Sequence, residues 1–94
     1  GDKLLDSNQF KNLIKFKDLL KLEKIEVNEI ILKDENIYNI VTSDNWRIII
    51  NNENEAEDTF LNLKTIISSK IKDKMKKLEY IDLRFGNKVF YKLK

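Results

Sequence analysis

Two groups of side chains could carry chemistry by type and crowding. One is acidic, Glu53, Glu55, Glu57 and Asp58; the other is basic, Lys70, Lys72, Lys74, Lys76 and Lys77. Grouped carboxylates can hold a cation or exchange protons, and clustered lysines can grip phosphates. Both groups also have a plainer reading. They sit at opposite ends of one apolar-periodic segment, about Asn54 to Lys77, where acids at the start and bases at the end complement a helix dipole. The acidic group lacks the glycine turn and ligand spacing of a calcium loop. The lysines come without a base-stacking platform, and 18 basic against 16 acidic residues leave a net charge of only +2. A small basic nucleic-acid-binding α+β domain is therefore the alternative function, not the first reading.

An enzyme is disfavoured. Histidine and cysteine are absent, which removes the usual general base, the thiolate nucleophile and the common zinc ligands. No glycine-rich phosphate loop or Gly-x-Ser-x-Gly elbow occurs. No metal or cofactor is expected. Trp46 beside Arg47 reads as a ligand platform or, more simply, as a core or edge tryptophan.

The elements that would position these residues follow from periodicity. The chain of 94 residues, 41% hydrophobic, suits a single domain spanning 1–94. About Asp6 to Leu22 reads as a helix, with Phe10, Leu13, Ile14, Phe16 and Leu20 at helical spacing and Asp6 or Ser7 as cap. Ile25 to Lys33, Ile37 to Thr42 and Trp46 to Ile50 read as three strands of an antiparallel meander, joined by Asp34-Glu35-Asn36 and Ser43-Asp44-Asn45. The second helix follows, with Phe60, Leu63, Ile67, Ile71, Met75 and Leu78 on one face. Asn54 and Glu57 suit its N-cap, and its end falls between Lys72 and Lys77. Two strands around Gly86 close the chain. The predicted class is α+β: an antiparallel sheet, made of a three-strand meander plus a C-terminal two-strand hairpin, with two helices packed against it.

In the hairpin, Ile81, Leu83 and Phe85 share one face, and Tyr80, Asp82 and Arg84 the other. A three-residue loop, Gly86-Asn87-Lys88, would bring Val89, Tyr91 and Leu93 to the apolar face. A two-residue loop would pair Phe85 with Lys88 and turn Lys88 and Lys92 inward, since a slip of one residue inverts every side chain. Burial favours the odd loop. Phe90 then points away from the core and reads as an interface anchor, whereas Tyr91 reads as core. Arg84 is either an interface residue or half of a surface ion pair with Asp82. The last strand is a candidate sheet edge, which can recruit a strand from another protein.

Leu78-Glu79-Tyr80-Ile81-Asp82-Leu83-Arg84-Phe85, with Lys88-Val89 after it, resembles the end of the extracytoplasmic β domain of the bacterial cell-division family FtsQ, called DivIB in Gram-positive species. In that family a helix precedes a strand of the form Ile/Val-Asp-Leu-Arg-aromatic, and a last strand follows. The upstream order of helix, three strands and long helix is similar too, so the resemblance covers most of the chain. Ile81-Asp82-Leu83-Arg84 is its motif-specific part. It implies a non-catalytic divisome scaffold on the extracytoplasmic side of the cytoplasmic membrane, anchored by one upstream helix that precedes a POTRA domain. Gly1 in place of Met reads as the scar of an excised domain, and no run here approaches the roughly 20 apolar residues of a membrane helix. The implied partners are FtsB or DivIC, and FtsL, with one partner strand lying beside the last strand; no nucleic acid is implied, and the fragment is expected to be monomeric. Carried over, Arg84 becomes the charge partner of an acidic residue and Phe85 holds the aromatic position. Val89, Phe90, Tyr91 and Lys92 offer the edge. The lysine-rich last strand and the short tail depart from the family pattern.

Overall fold

The computed structural model describes residues 7–94. Helix α1 (Ser7–Leu22) precedes strands β1 (Val27–Asp34), β2 (Ile37–Thr42) and β3 (Arg47–Asn51). Helix α2 (Ala56–Ile66) and an irregular helical stretch at 67–77 lead to β4 (Leu78–Phe85) and β5 (Lys88–Leu93). The strands form one sheet in the order β1-β2-β3-β4-β5. The α+β class read from the sequence is the class observed, and the meander and the hairpin are each antiparallel. The seam between them is parallel, with Arg47 opposite Tyr80 and Ile48 opposite Ile81. A helical crossover between β3 and β4 brings the chain back to the end of the sheet where it started, which makes that pair parallel.

Strict alternation on the central strands sorts the two faces. Tyr38, Ile40, Ile48 and Ile50 are buried together with Leu13, Phe16 and Leu20 of α1 and Leu63 of α2. Both helices therefore cover the same face of the sheet. The intervening Ile37, Asn39, Val41, Arg47 and Ile49 are only half-buried and define an open face. Of the α1 residues read as apolar-periodic, Phe10 and Ile14 stay exposed, at 54% and 38%. The Asp6 cap lies outside the described residues, and Ser7 is already the first helical residue. Trp46 is 2% exposed and belongs to the core, not to a ligand platform.

The helix ends show how the chain manages with few glycines. Lys24 takes a left-handed φ of 62°. Its N–H bonds the carbonyl of Lys21, and that of Ile25 bonds the carbonyl of Leu20, which is a Schellman stop without glycine. Asn45, at φ 71°, ends a three-residue loop in which its N–H reaches the Thr42 carbonyl at 3.1 Å. The start of α2 departs from the sequence reading. Its N-cap is Glu55, with no side-chain cap of its own, so the Asn54–Glu57 signature is unused. Asn12 of α1 acts instead: its Oδ1 accepts the Ala56 N–H at 2.8 Å, and its amide donates to the carbonyls of Asn52 and Asn54. Asn52, 3% exposed, returns a bond to the Gln9 carbonyl. This network locks α1 onto the loop that launches α2.

The α geometry also stops earlier than expected, at Ile66, and a π turn (Ile67–Ile71) and a 3-10 turn (Lys72–Lys77) follow. The Ser68 and Ser69 hydroxyls both donate to the Thr65 carbonyl, at 3.2 and 2.6 Å. Such back-bonding competes with the regular ladder. Lys72 then turns the chain at φ 49°.

Candidate strand-docking edge

The closing hairpin settles its register in a way the alternation argument did not foresee. Phe85 pairs directly with Lys88 across a two-residue loop, Gly86-Asn87. Gly86 has φ +68°, whereas Asn87 is not among the left-handed residues; that is the φ pattern of a type II′ turn. The three-residue loop is thus overturned. Yet Val89 and Leu93 still pack on the core, and Tyr91 pairs with the fully buried Ile81. The parity is restored inside β4. Leu83 and Arg84 together oppose Val89, and Glu79 is a second extra residue between the pairs Leu78–Leu93 and Tyr80–Lys92. Each bulge moves the rest of the strand to the other face. So Leu78, Ile81 and Leu83 are all buried, although Leu78 breaks the alternation of the other two. Phe85, expected beside Ile81 and Leu83 on the core face, turns out to the open face and is 51% exposed.

The first bulge assembles a cluster on the open face. Asp82, nearly buried at 6% exposure, is gripped by Arg84, whose Nε donates to Oδ1 at 2.9 Å and Nη2 to Oδ2 at 2.6 Å. The Arg84 N–H also donates to Asp82 Oδ1, at 3.1 Å. These hydrogen bonds raise the guanidinium pKa above its ordinary value, against the opposing effect of burial. Arg84 also lies 5.0 Å from the Phe85 ring centroid, and Phe85 meets Phe90 edge-on at 5.8 Å. Phe90 is 52% exposed on the open face, directly opposite Asp82. Of the residues singled out in the sequence, Arg84, Phe85 and Phe90 therefore form one patch. Val89 and Tyr91 lie on the helix side of the sheet, but only Val89 packs on the core; Tyr91, read as core, is 38% exposed and outside it, and Lys92 stands on the open face within 3.9 Å of Glu79.

β5 closes one edge of the sheet, and its backbone polarity can be worked out. Lys94 N–H bonds the Lys77 carbonyl, so the Leu78–Leu93 pair is one whose own amides point away from each other. β5 carries no extra residue, because both bulges are in β4. Alternation then aims the N–H and C=O groups of Val89, Tyr91 and Leu93 outward at regular two-residue spacing. Side chains of α2 and of the loop before it brace the hairpin. Asn62 donates to the Gly86 carbonyl at 2.7 Å, and Asn54 to the carbonyl of the bulged Arg84 at 3.4 Å. The sequence does not mark Asn62, and it marks Asn54 only as an N-cap, a role that Glu55 takes instead. The bulges did leave a signal: Leu78 cannot share a face with Ile81 and Leu83 in a regular strand.

The two chemically crowded groups are spread out. Glu57 pairs with Lys15, Glu53 accepts from Asn36, and Glu55 is the backbone N-cap of α2. Among the described residues no three acidic side chains are placed to hold a metal ion. Lys70 sits in the π turn, and Lys72, Lys74, Lys76 and Lys77 in the 3-10 stretch, all exposed. A comparison with protein-family models gives no match, and no curated protein matches the chain.

Proposed function

We propose that the domain is a non-catalytic interaction module that captures a partner by adding its strand to β5. In the setting that the FtsQ/DivIB resemblance implies, it is the extracytoplasmic β domain of a membrane-anchored divisome scaffold, and FtsB or DivIC, and FtsL, are its partners. One observation carries the strand-addition reading: the outward amides and carbonyls of Val89, Tyr91 and Leu93 form an evenly spaced row at a sheet edge. Backbone bonds to that row would supply affinity, and alternate side chains selectivity. The exposed Phe85–Phe90 pair beside the row gives the arriving strand an apolar contact on the open face. Arg84 is committed to Asp82 within the domain, so in this reading it shapes the patch and stacks on Phe85 rather than waiting as a free charge.

The test is calorimetric titration with the extracytoplasmic segments of the FtsB/DivIC-type and FtsL-type partners. Phe90→Asp is expected to weaken binding at least about tenfold, about 1.4 kcal/mol, with an unchanged circular dichroism spectrum. Equal affinity of the variant and the unaltered chain would refute the role given to this edge.

A further inference from the structure

Resting on the strand-addition reading, we infer that β5 selects an acidic strand from a different protein and rejects a second copy of itself. Lys88, Phe90 and Lys92 alternate along the open face of β5, while Val89, Tyr91 and Leu93 face the helices. The charges around them do not cancel the two lysines. Asp82 is taken by Arg84, and Glu79 is shared between Lys92 at 3.9 Å and Arg47 at 3.8 Å. Lys88 has no ion pair among the described residues.

A strand laid beside β5 places its side chains directly opposite these positions and on the same face. The favoured occupant therefore carries two acidic residues four apart, opposite Lys88 and Lys92, and an apolar residue midway to meet Phe90. Its alternate residues are apolar, because they extend the row of half-buried Val89 and Leu93 and the exposed ring of Tyr91 between them. The same charges oppose self-pairing. When two copies of β5 meet antiparallel in the register centred on Phe90, Lys88 of each faces Lys92 of the other and Phe90 faces Phe90; in the register centred on Tyr91, which overlaps as far, Lys88 faces Lys94. Like charges directly opposite destabilise a ladder, and edge lysines are a common guard against it. Specificity thus comes from repulsion as well as attraction.

Two synthetic decapeptides test this, one alternating strand with Glu-Val-Phe-Val-Glu at its centre and a twin with Lys-Val-Phe-Val-Lys. By fluorescence anisotropy the glutamate peptide is expected to bind about tenfold or more tighter, a gap that two cross-strand charge pairs can supply. The double variant K88E/K92E should reverse the preference. Equal affinity of the two peptides would overturn charge selection while leaving strand addition standing. Failure of both to bind the folded chain would overturn strand addition as well. In sedimentation the unaltered chain should remain monomeric where K88T/K92T forms dimers; an unaltered chain that dimerises, or a K88T/K92T variant that stays monomeric, contradicts the self-exclusion.

Discussion

β1 and β5 both end the sheet and both offer backbone groups to solvent, but the two rows differ. Extra residues interrupt β1 between Val27 and Glu29 and again between Leu32 and Asp34. The Glu26 carbonyl accepts the Ser43 N–H, and the pairing around it sends the groups of Val27, Ile30 and Leu32 outward at uneven spacing. A visiting strand with its fixed two-residue repeat cannot satisfy that row. β1 also carries Asn28, Glu29, Lys33 and Asp34, so bulges and charges together protect it. At the other edge the bulges lie one strand further in, on β4, and β5 keeps an even row. The same device closes one edge and, displaced by one strand, leaves the other open while turning Phe85 out beside it.

Proline substitution gives the largest expected contrast. Val89→Pro deletes an outward N–H and should reduce partner binding tenfold or more, a loss of about 1.4 kcal/mol. Leu32→Pro deletes an outward N–H from β1, where Leu32 is 54% exposed, and should leave affinity unchanged. Parallel losses measured by calorimetry would erase the distinction between the edges.

The next effect separates folding from docking. Arg84→Ala strands the Asp82 carboxylate, whose side chain is only 8% exposed. Because the Arg84 side chain is 38% exposed, solvent screening reduces the cost, and about 1–2 kcal/mol of stability should be lost in urea unfolding. The D82N/R84A double variant should recover part of it. A stability loss below about 0.3 kcal/mol for Arg84→Ala would place the pair among inert surface ion pairs.

The smallest effect belongs to the shared core beneath both edges. Burial raises the Tyr38 phenol pKa above its usual value of about 10. The folded state therefore holds that proton more tightly than the unfolded chain does. The associated stability is intact below the unfolded pKa and is lost as pH rises through the folded one. Thermal unfolding should show an alkaline decline that Tyr38→Phe reduces; identical alkaline profiles would contradict it.

Much of this was legible in the residues. The meander could be read because β2 and β3 alternate without interruption, and the α+β class follows from the element order. The outward face of Phe90 is legible too, although an odd loop is not what sets it: an even loop and a bulge give the same parity beyond Val89. Phe85 was misplaced because it lies between the turn and that bulge, in the one stretch where the two solutions differ. The start of α2 was hidden because its cap comes from Asn12, 44 positions away in sequence, and no local signature reports a partner so distant.

Amide hydrogen exchange, residue by residue, in the free domain and with a bound partner strand tests the central claim most directly. The amides of Val89, Tyr91 and Leu93 should exchange rapidly in the free chain and become protected together on binding, while those of Val27, Ile30 and Leu32 remain fast in both. Slow exchange at the three β5 positions before any partner is added, or no gain in their protection in the complex, would contradict the account.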